Sequence, residues 1–203
     1  MGASDILKYY QILLSQSELM SAAHQETLNA LSIDVVNARK KNKLAEIAFI
    51  CTHNSRRSQI AEIWFKLFLY SKKIPIIQVH SAGTEATALN HRVANAFNDL
   101  GISLETSELH DNPKFKLSGF EALNDNLFYS KTIDDIQEQY GSLFAVMVCS
   151  DADENCPYIP GVTRYSLPFI DPKYADDTPQ EEAAYGASVS EIGICMAYLC
   201  SLL

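Results

Sequence analysis

The amino-acid sequence predicts an α/β protein: a small three-layer domain on a mainly parallel sheet, preceded by a helical N-terminal extension. Beyond residue 45, short apolar runs alternate with stretches of helical periodicity, the pattern of a parallel sheet covered on both faces. Residues 1–44 show helical periodicity alone. The length, 203 residues, suits one domain of ordinary size with an appendage.

In the extension, Ile6, Leu7, Tyr10, Leu13 and Leu14 fall at helical spacings, and Leu28, Leu31 and Val35 make a second series. Asp5 is placed to cap the first helix. The extension, residues 1–44, ends in Arg39-Lys40-Lys41-Asn42-Lys43, which reads as a solvated linker to a domain at 45–203. Within that domain, Ile47-Ala48-Phe49-Ile50 is a strand buried on both faces. Residues 58–70 form a helix with Ile60, Ile63, Trp64, Leu67 and Phe68 on one stripe. A second strand is predicted at 74–79 and a helix at 90–100, closed by Gly101. Strands at 144–148 and 163–169 follow. A closing helix at 179–203 begins acidic and ends apolar. The stretch 109–140, with Pro113, Gly119 and scattered aromatics, has no clear period and reads as an insertion.

Charge and cysteine content narrow the function. There are 16 Lys and Arg against 25 Asp and Glu, a net charge of -9. The extension carries +1, from five basic and four acidic residues, so the remainder carries -10. That balance argues against a nucleic-acid or anionic-membrane surface. No 18 apolar residues run together, which argues against a spanning helix. The first residues, with Asp5 and Lys8, do not read as a secretory signal, and Ile6 stands where myristoylation wants Ser or Thr. Five cysteines are too few, and odd in number, for a disulfide scaffold. The expectation is a soluble cytoplasmic protein with reduced thiols.

The chemistry centres on Ile50-Cys51-Thr52-His53-Asn54-Ser55-Arg56-Arg57-Ser58. Cys51 closes a buried strand, and Arg57-Ser58 open a helix. Ligands of open parallel sheets bind at such carboxyl ends. A loop wrapping into a helix N-terminus aims the N–H groups of Thr52, His53, Asn54, Ser55, Arg56 and Arg57 at one point, which suits a tetrahedral oxyanion. The same field favours a thiolate, making Cys51 a nucleophile near neutrality. Arg57 adds a two-pronged clamp on anion oxygens. Ser58 is placed to donate its hydroxyl to the sulfur, and Asn54 suits a left-handed loop position.

Residues 51–62, Cys-Thr-His-Asn-Ser-Arg-Arg-Ser-Gln-Ile-Ala-Glu, resemble the phosphate-binding loop of the low-molecular-weight tyrosine phosphatase superfamily. Ser81-Ala82-Gly83-Thr84-Glu85 resembles the Ser-Ala-Gly segment after that fold's second strand. Val148-Cys149-Ser150-Asp151-Ala152-Asp153-Glu154-Asn155-Cys156-Pro157, with Asp171-Pro172, is similar to the thioredoxin-coupled arsenate reductases that share the fold. The resemblance covers residues 45–203 apart from 109–140. It leaves the extension unexplained.

The resemblance implies a relay. Cys51 attacks arsenate while Asp171 protonates the departing oxygen as general acid. Cys149 then attacks Cys51, arsenite leaves, and Cys156 attacks Cys149 in turn, exporting the disulfide to thioredoxin. It implies no cofactor or metal. Seven residues of helix rise about 10 Å, whereas a disulfide wants Cα atoms within about 7 Å. A helical Cys149–Cys156 segment must therefore unwind to oxidise. Asp151, Asp153 and Asn155 are poor helix formers and suit such opening.

Cys195 and Cys200 read as packing residues of the last helix. His53 is expected to face solvent or a neighbouring loop. His24, His80, His91 and His110 lack metal-ligand spacing. By resemblance, Glu62 supports the loop or lines a cation site, and Tyr174 matches the aromatic that follows the phosphatase general acid. The phosphatases often carry a second Cys before the loop Arg, where this chain has Arg56. Asp171-Pro172-Lys173-Tyr174 also resembles the phosphatase pattern, so phosphotyrosine hydrolysis is the alternative activity, needing only Cys51, Arg57 and Asp171. A third reading is an unreactive oxyanion-binding regulatory module, which thiol labelling of Cys51 at pH 6 would dismiss. The extension is expected to form a homodimer contact or a lid on the domain.

Overall fold

The computed structural model describes residues 2–41, 44–74, 77–120, 123, 127–137, 143–155 and 161–203. Two helices come first, α1 (Ala3–Leu14) and α2 (Ala22–Lys40). Asp5 is not the first cap of α1. It sits three residues in, where its carboxylate accepts the Gly2 N–H at 3.1 Å. The cap of α2 is Ser21, whose hydroxyl accepts the His24 N–H.

Strand β1 (Ala45–Cys51) is buried at every position. Helix α3 (Arg57–Ser71) follows, then β2 (Ile77–Gly83) and α4 (His91–Asp99). A short pair, β3 (Leu104–Glu105) with β4 (Lys116–Leu117), is antiparallel. Then come α5 (Ile133–Gln137), β5 (Leu143–Met147), α6 (Ser150–Asn155), β6 (Thr163–Ser166), a 3₁₀ turn (Pro172–Ala175) and α7 (Glu181–Ser201). The sheet runs β2-β1-β5-β6, all parallel. Strand β1 is flanked by β2 on one side and β5 on the other. Its carboxyl end is thus the point where the winding reverses, and Cys51 is its last residue.

Three sequence expectations change. The second strand begins at 77 rather than 74 and extends to Gly83, so Ser81-Ala82-Gly83 is its end rather than a segment after it; residues 75–76 lie outside the described residues. The strand expected over 163–169 stops at Ser166. Leu167 and Phe169 still donate to the Met147 and Val148 carbonyls, but Pro168 has no N–H and the chain turns towards Asp171. The stretch 109–140 is not a loose insertion in its described part. Phe115, Leu117, Phe120, Phe128, Ile133 and Ile136 enter the core, and Thr132 bridges to Gly83 at the sheet's end. Irregular spacing hid this, because its apolar residues pack from turns and two-residue strands. Around Gly101, φ is 75°, and the Ile102 and Gly101 N–H groups close onto Phe97 and Asn98 carbonyls.

The extension shares the core of the domain. Helix α1 lies across α3 and α7 and buries Ile6, Tyr10 and Leu13; α2 packs on α7 and buries Leu28, Leu31 and Val35. Trp64 stacks on Phe68 with centroids 5.0 Å apart, Tyr10 meets Phe68 edge-on, and the Trp64 indole donates to the Val189 carbonyl. Helix α7, among the described residues, is the one helix long and apolar enough by composition to cross a membrane. Most of it is buried against α1, α2, α3 and α4, which accounts for its apolar character.

At Gly193 a Cβ would stand 2.9 Å from the Trp64 Nε1 and 3.0 Å from Leu13 Cδ1. Gly193→Ala should therefore destabilise the protein by about 1–3 kcal/mol through overpacking, read as a shifted urea midpoint. Glu46, within buried β1, is 3% exposed, and one carboxylate oxygen is buried without a hydrogen-bond partner among the described residues. Burial pushes its pKa up to about 7. A folded-state pKa above the unfolded value means a contribution complete below about pH 4.5 and lost as pH rises through 7. Glu46→Gln should match wild type at pH 5 and exceed it at pH 8 by about 2–3 kcal/mol, measured by denaturant unfolding at both pH values.

Candidate active site

The loop from Cys51 to Arg56 is held open from outside. Each of its carbonyls accepts a hydrogen bond from the surrounding protein. Cys51 O takes the Thr84 N–H, and Thr52 O takes the Glu85 N–H and the Thr84 hydroxyl. His53 O accepts the Ser130 and Thr87 hydroxyls, and Asn54 O the Gln59 amide. Ser55 O accepts the Asn90 N–H, and Arg56 O the Ile60 N–H. In a trans peptide the next residue's N–H points opposite to the carbonyl. Outward carbonyls at 51–56 therefore turn the N–H groups of residues 52–57 inward. None of those six donates to an acceptor among the described residues. Convergent amides at the start of α3 form an anion cradle.

Cys51 stands at the base of this cradle, 3% exposed. Its Sγ is 3.0 Å from the Ser58 hydroxyl oxygen, which itself accepts the Asn54 side-chain amide at 2.8 Å. A thiolate has no proton to give, so when Cys51 is ionised the Ser58 hydroxyl donates to the sulfur and stabilises its charge. Asn54 is fully buried and left-handed, φ 47°. Its Oδ1 accepts the Lys131 N–H at 2.7 Å and the Gln59 amide at 3.1 Å. One side chain thus ties loop, helix α3 and the 127–132 segment together.

Arg57 is buried beside the loop. Its Nη1 donates to the Phe169 carbonyl at 3.1 Å and its Nη2 to the Asp171 carboxylate at 2.6 Å. Its Nε is buried with no partner among the described residues. Asp171 also caps the 3₁₀ turn by accepting the Lys173 N–H. Arg56, expected from sequence among the oxyanion ligands, contributes its N–H but not its charge. Its guanidinium donates to the Tyr185 hydroxyl at 2.7 Å and to Asp176 at 3.0 Å, bracing the loop against α7. Half-buried Asp176 and the buried Tyr185 phenol hold it, and its Nε also lies 4.0 Å from Asp171.

Cys149 follows β5 and is fully buried. The Ala152 N–H donates to its Sγ at 3.3 Å, and the Thr52 hydroxyl lies 3.7 Å away, so this thiol abuts the first residue after Cys51. Residues 150–155 are helical. Cys156, the second relay thiol, lies outside the described residues. Cys195 and Cys200 are core residues of α7, and burial pushes both thiols up to about 12. His53 is half-exposed with its ring 3.7 Å from Glu85, away from the cradle, and Ser55 is buried. Tyr174 is 72% exposed.

Beneath the loop, Glu62 meets Lys66 at 2.6 Å, the Ser81 hydroxyl at 2.5 Å and Lys131 at 3.8 Å. Burial alone would raise its pKa, but the two ammonium groups outweigh it and hold Glu62 at about 2. Burial depresses Lys131 and takes the adjacent His80 down to about 4. The counter-charges of Glu62 are thus the chain's own lysines. Sequence patterning missed Gln59, Thr84, Thr87, Ser130 and Lys131. The last two sit in the aperiodic 109–140 stretch; Gln59 lies within the 51–62 run, but nothing in that run shows that its amide holds the Asn54 and Tyr129 carbonyls.

The profile of the low molecular weight phosphotyrosine protein phosphatase family matches residues 46–117. An arsenate reductase of Bacillus subtilis (strain 168) is 33% identical over 157 residues, 75% of this chain and 91% of that protein. Arsenate reductase 1 of Staphylococcus saprophyticus is 38% identical over 129 residues, 62% of this chain and 77% of that protein. A solved structure described as an arsenate reductase in oxidized state shares the fold, with a TM-score of 0.50, 16% identity and coverage of 77% of this chain and 96% of that one. The chain belongs to the low-molecular-weight phosphotyrosine protein phosphatase superfamily, among its arsenate-reductase-like members.

Gly83 is the close-approach point of the cradle. A Cβ there would stand 2.7 Å from Asn54 N and from Thr52 O, and would also collide with the Glu85 carbonyl. These are backbone atoms that cannot swing aside. Gly83→Ala should lower the alkylation rate of Cys51 at pH 7 by about tenfold or more. An unchanged rate in the folded variant would show that the cradle does not need this approach.

Proposed function

We propose that the chain is an arsenate reductase working by a thiol/disulfide relay. The observation that most supports it is Cys149: a buried thiol beside the cradle, contacting Thr52 and receiving the Ala152 N–H. A hydrolase has no use for a thiol there.

Arsenate enters with its oxygens on the inward amides and Arg57. Cys51 Sγ attacks arsenic, an S–As bond forms, and an oxygen protonated by Asp171 leaves as water. Cys149 attacks Cys51 Sγ. The S–S bond forms as the S–As bond breaks, the electron pair goes to arsenic, and As(V) becomes As(III), released as arsenite. Cys156 then attacks Cys149, freeing Cys51, and thioredoxin or a similar dithiol reduces the Cys149–Cys156 disulfide. Helix α6 separates these two positions, so oxidation requires that helix to unwind. The relay needs a compartment that keeps dithiols reduced, which favours the cytoplasm.

Phosphotyrosine hydrolysis is the second reading, favoured by exposed Ile170 and Tyr174 on either side of the acid. There water resolves a phospho-cysteine and Cys149 stays idle.

A paired assay separates the two. Cys149→Ser should reduce thioredoxin-coupled arsenate turnover by about a hundredfold or more while sparing any aryl phosphate hydrolysis. A Cys149–Cys156 disulfide should appear in peptide mass spectra after turnover of the wild type. Undiminished arsenate reduction in Cys149→Ser would overturn the relay.

A further inference from the structure

Helix α2 lies outside the family match at 46–117, yet it touches the segment that carries Asp171. Strand β6 is an edge of the sheet. Its continuation uses alternate peptides in two directions. The Leu167 and Phe169 N–H groups point inward to the Met147 and Val148 carbonyls. The carbonyls of the same two peptides, Ser166 O and Pro168 O, therefore point outward, where a fifth strand would normally bind them. Helix α2 binds them instead. Thr27 donates its hydroxyl to Ser166 O at 3.0 Å, and His24 Nε2 lies 3.1 Å from Pro168 O. Three residues apart, these side chains share one helix face. Further along α2, Asp34 accepts the Tyr165 hydroxyl at 2.5 Å.

His24 is the closest of these to the chemistry. A carbonyl only accepts, so Nε2 carries the proton. Nδ1 then faces the Cys195 thiol at 3.9 Å, and the ring meets Phe169 edge-on, centroids 5.2 Å apart. Burial keeps Cys195 protonated and able to donate. One peptide beyond Pro168, the Phe169 carbonyl accepts Arg57, and two residues further Asp171 takes the other Arg57 nitrogen.

We propose that α2 is a positioning element for the general acid. Thr27 and His24 occupy the open edge of the 166–169 segment and so hold Asp171 in register with Arg57 and the cradle. The inference rests on the reading of Asp171 as the acid of the arsenate reaction.

Four variants on α2 test it: His24→Leu and Thr27→Val remove the donors at similar size, and His24→Gln and Thr27→Ser retain them. The His24→Leu/Thr27→Val double variant should lose about tenfold in kcat for arsenate reduction, with KM within threefold and Cys51 alkylation unchanged. The donor-retaining variants should recover most of the rate. In an Asp171→Asn background the double variant should cost nothing further, since its effect passes through that carboxyl. An unchanged kcat, an equal loss in the Asp171→Asn background, or a failure of His24→Gln and Thr27→Ser to rescue would each overturn the proposal. If Asp171→Asn by itself leaves turnover intact, the reading of the acid falls, and this inference with it. The single Thr27→Val variant, at a half-buried surface position, keeps the test usable where His24→Leu unfolds.

Discussion

Everything at the site depends on six loop carbonyls being pulled outward. An anion cradle needs consecutive amides facing inward, and peptide planarity makes that equivalent to carbonyls facing away. Left to themselves such carbonyls would seek water or fold back. Here Thr84, Glu85, Thr87, Asn90, Gln59, Ser130 and Ile60 take all of them. The donors come from the end of β2, the run into α4, helix α3 and the 127–132 segment. The reactive loop is therefore shaped largely by groups outside it, and buried Asn54 joins several of them through one side chain.

The electrostatics follow the same economy. The domain outside the extension carries -10, which repels an oxyanion at long range. Capture must then be local: inward amides, the start of α3, and Arg57. The remaining cations are committed elsewhere. Arg56 braces α7 through Asp176 and Tyr185, while Lys66 and Lys131 neutralise Glu62 below the loop. Arg57, at the loop's end, is thus the cation that reaches both the Phe169 carbonyl and Asp171 at hydrogen-bond distance. Arg57 also links the cradle to Asp171, which makes the position of the 166–171 segment a determinant of the acid's geometry.

The extension resembles an appendage in sequence and an integral layer in structure. Its apolar series close on α3 and α7, so residues 6–35 complete the core. Its polar face covers the sheet edge beside β6. A helix is an effective edge cover because its side chains satisfy carbonyls without offering a new strand edge for association.

Much of the fold was legible because its signals are local. The apolar run 47–50, the stripe Ile60-Ile63-Trp64-Leu67-Phe68 and the Gly101 helix stop each depend on a few neighbouring residues, and all reappear in the structure. The loop at Cys51 was legible for the same reason, since nucleophile, turn residue, hydroxyl and arginine lie within eight positions. The sequence by itself thus determined the α/β alternation, the strand-loop-helix unit and the chemistry it carries. Tertiary structure alone decided which distant groups tether the carbonyls of residues 51–53 and 55, that the Arg56 guanidinium is held by Tyr185 and Asp176, how 109–140 packs, and that α2 covers the β6 edge. Most of those outcomes are competitions between partners far apart in the chain, settled by burial and hydrogen-bond satisfaction, and no local period encodes them.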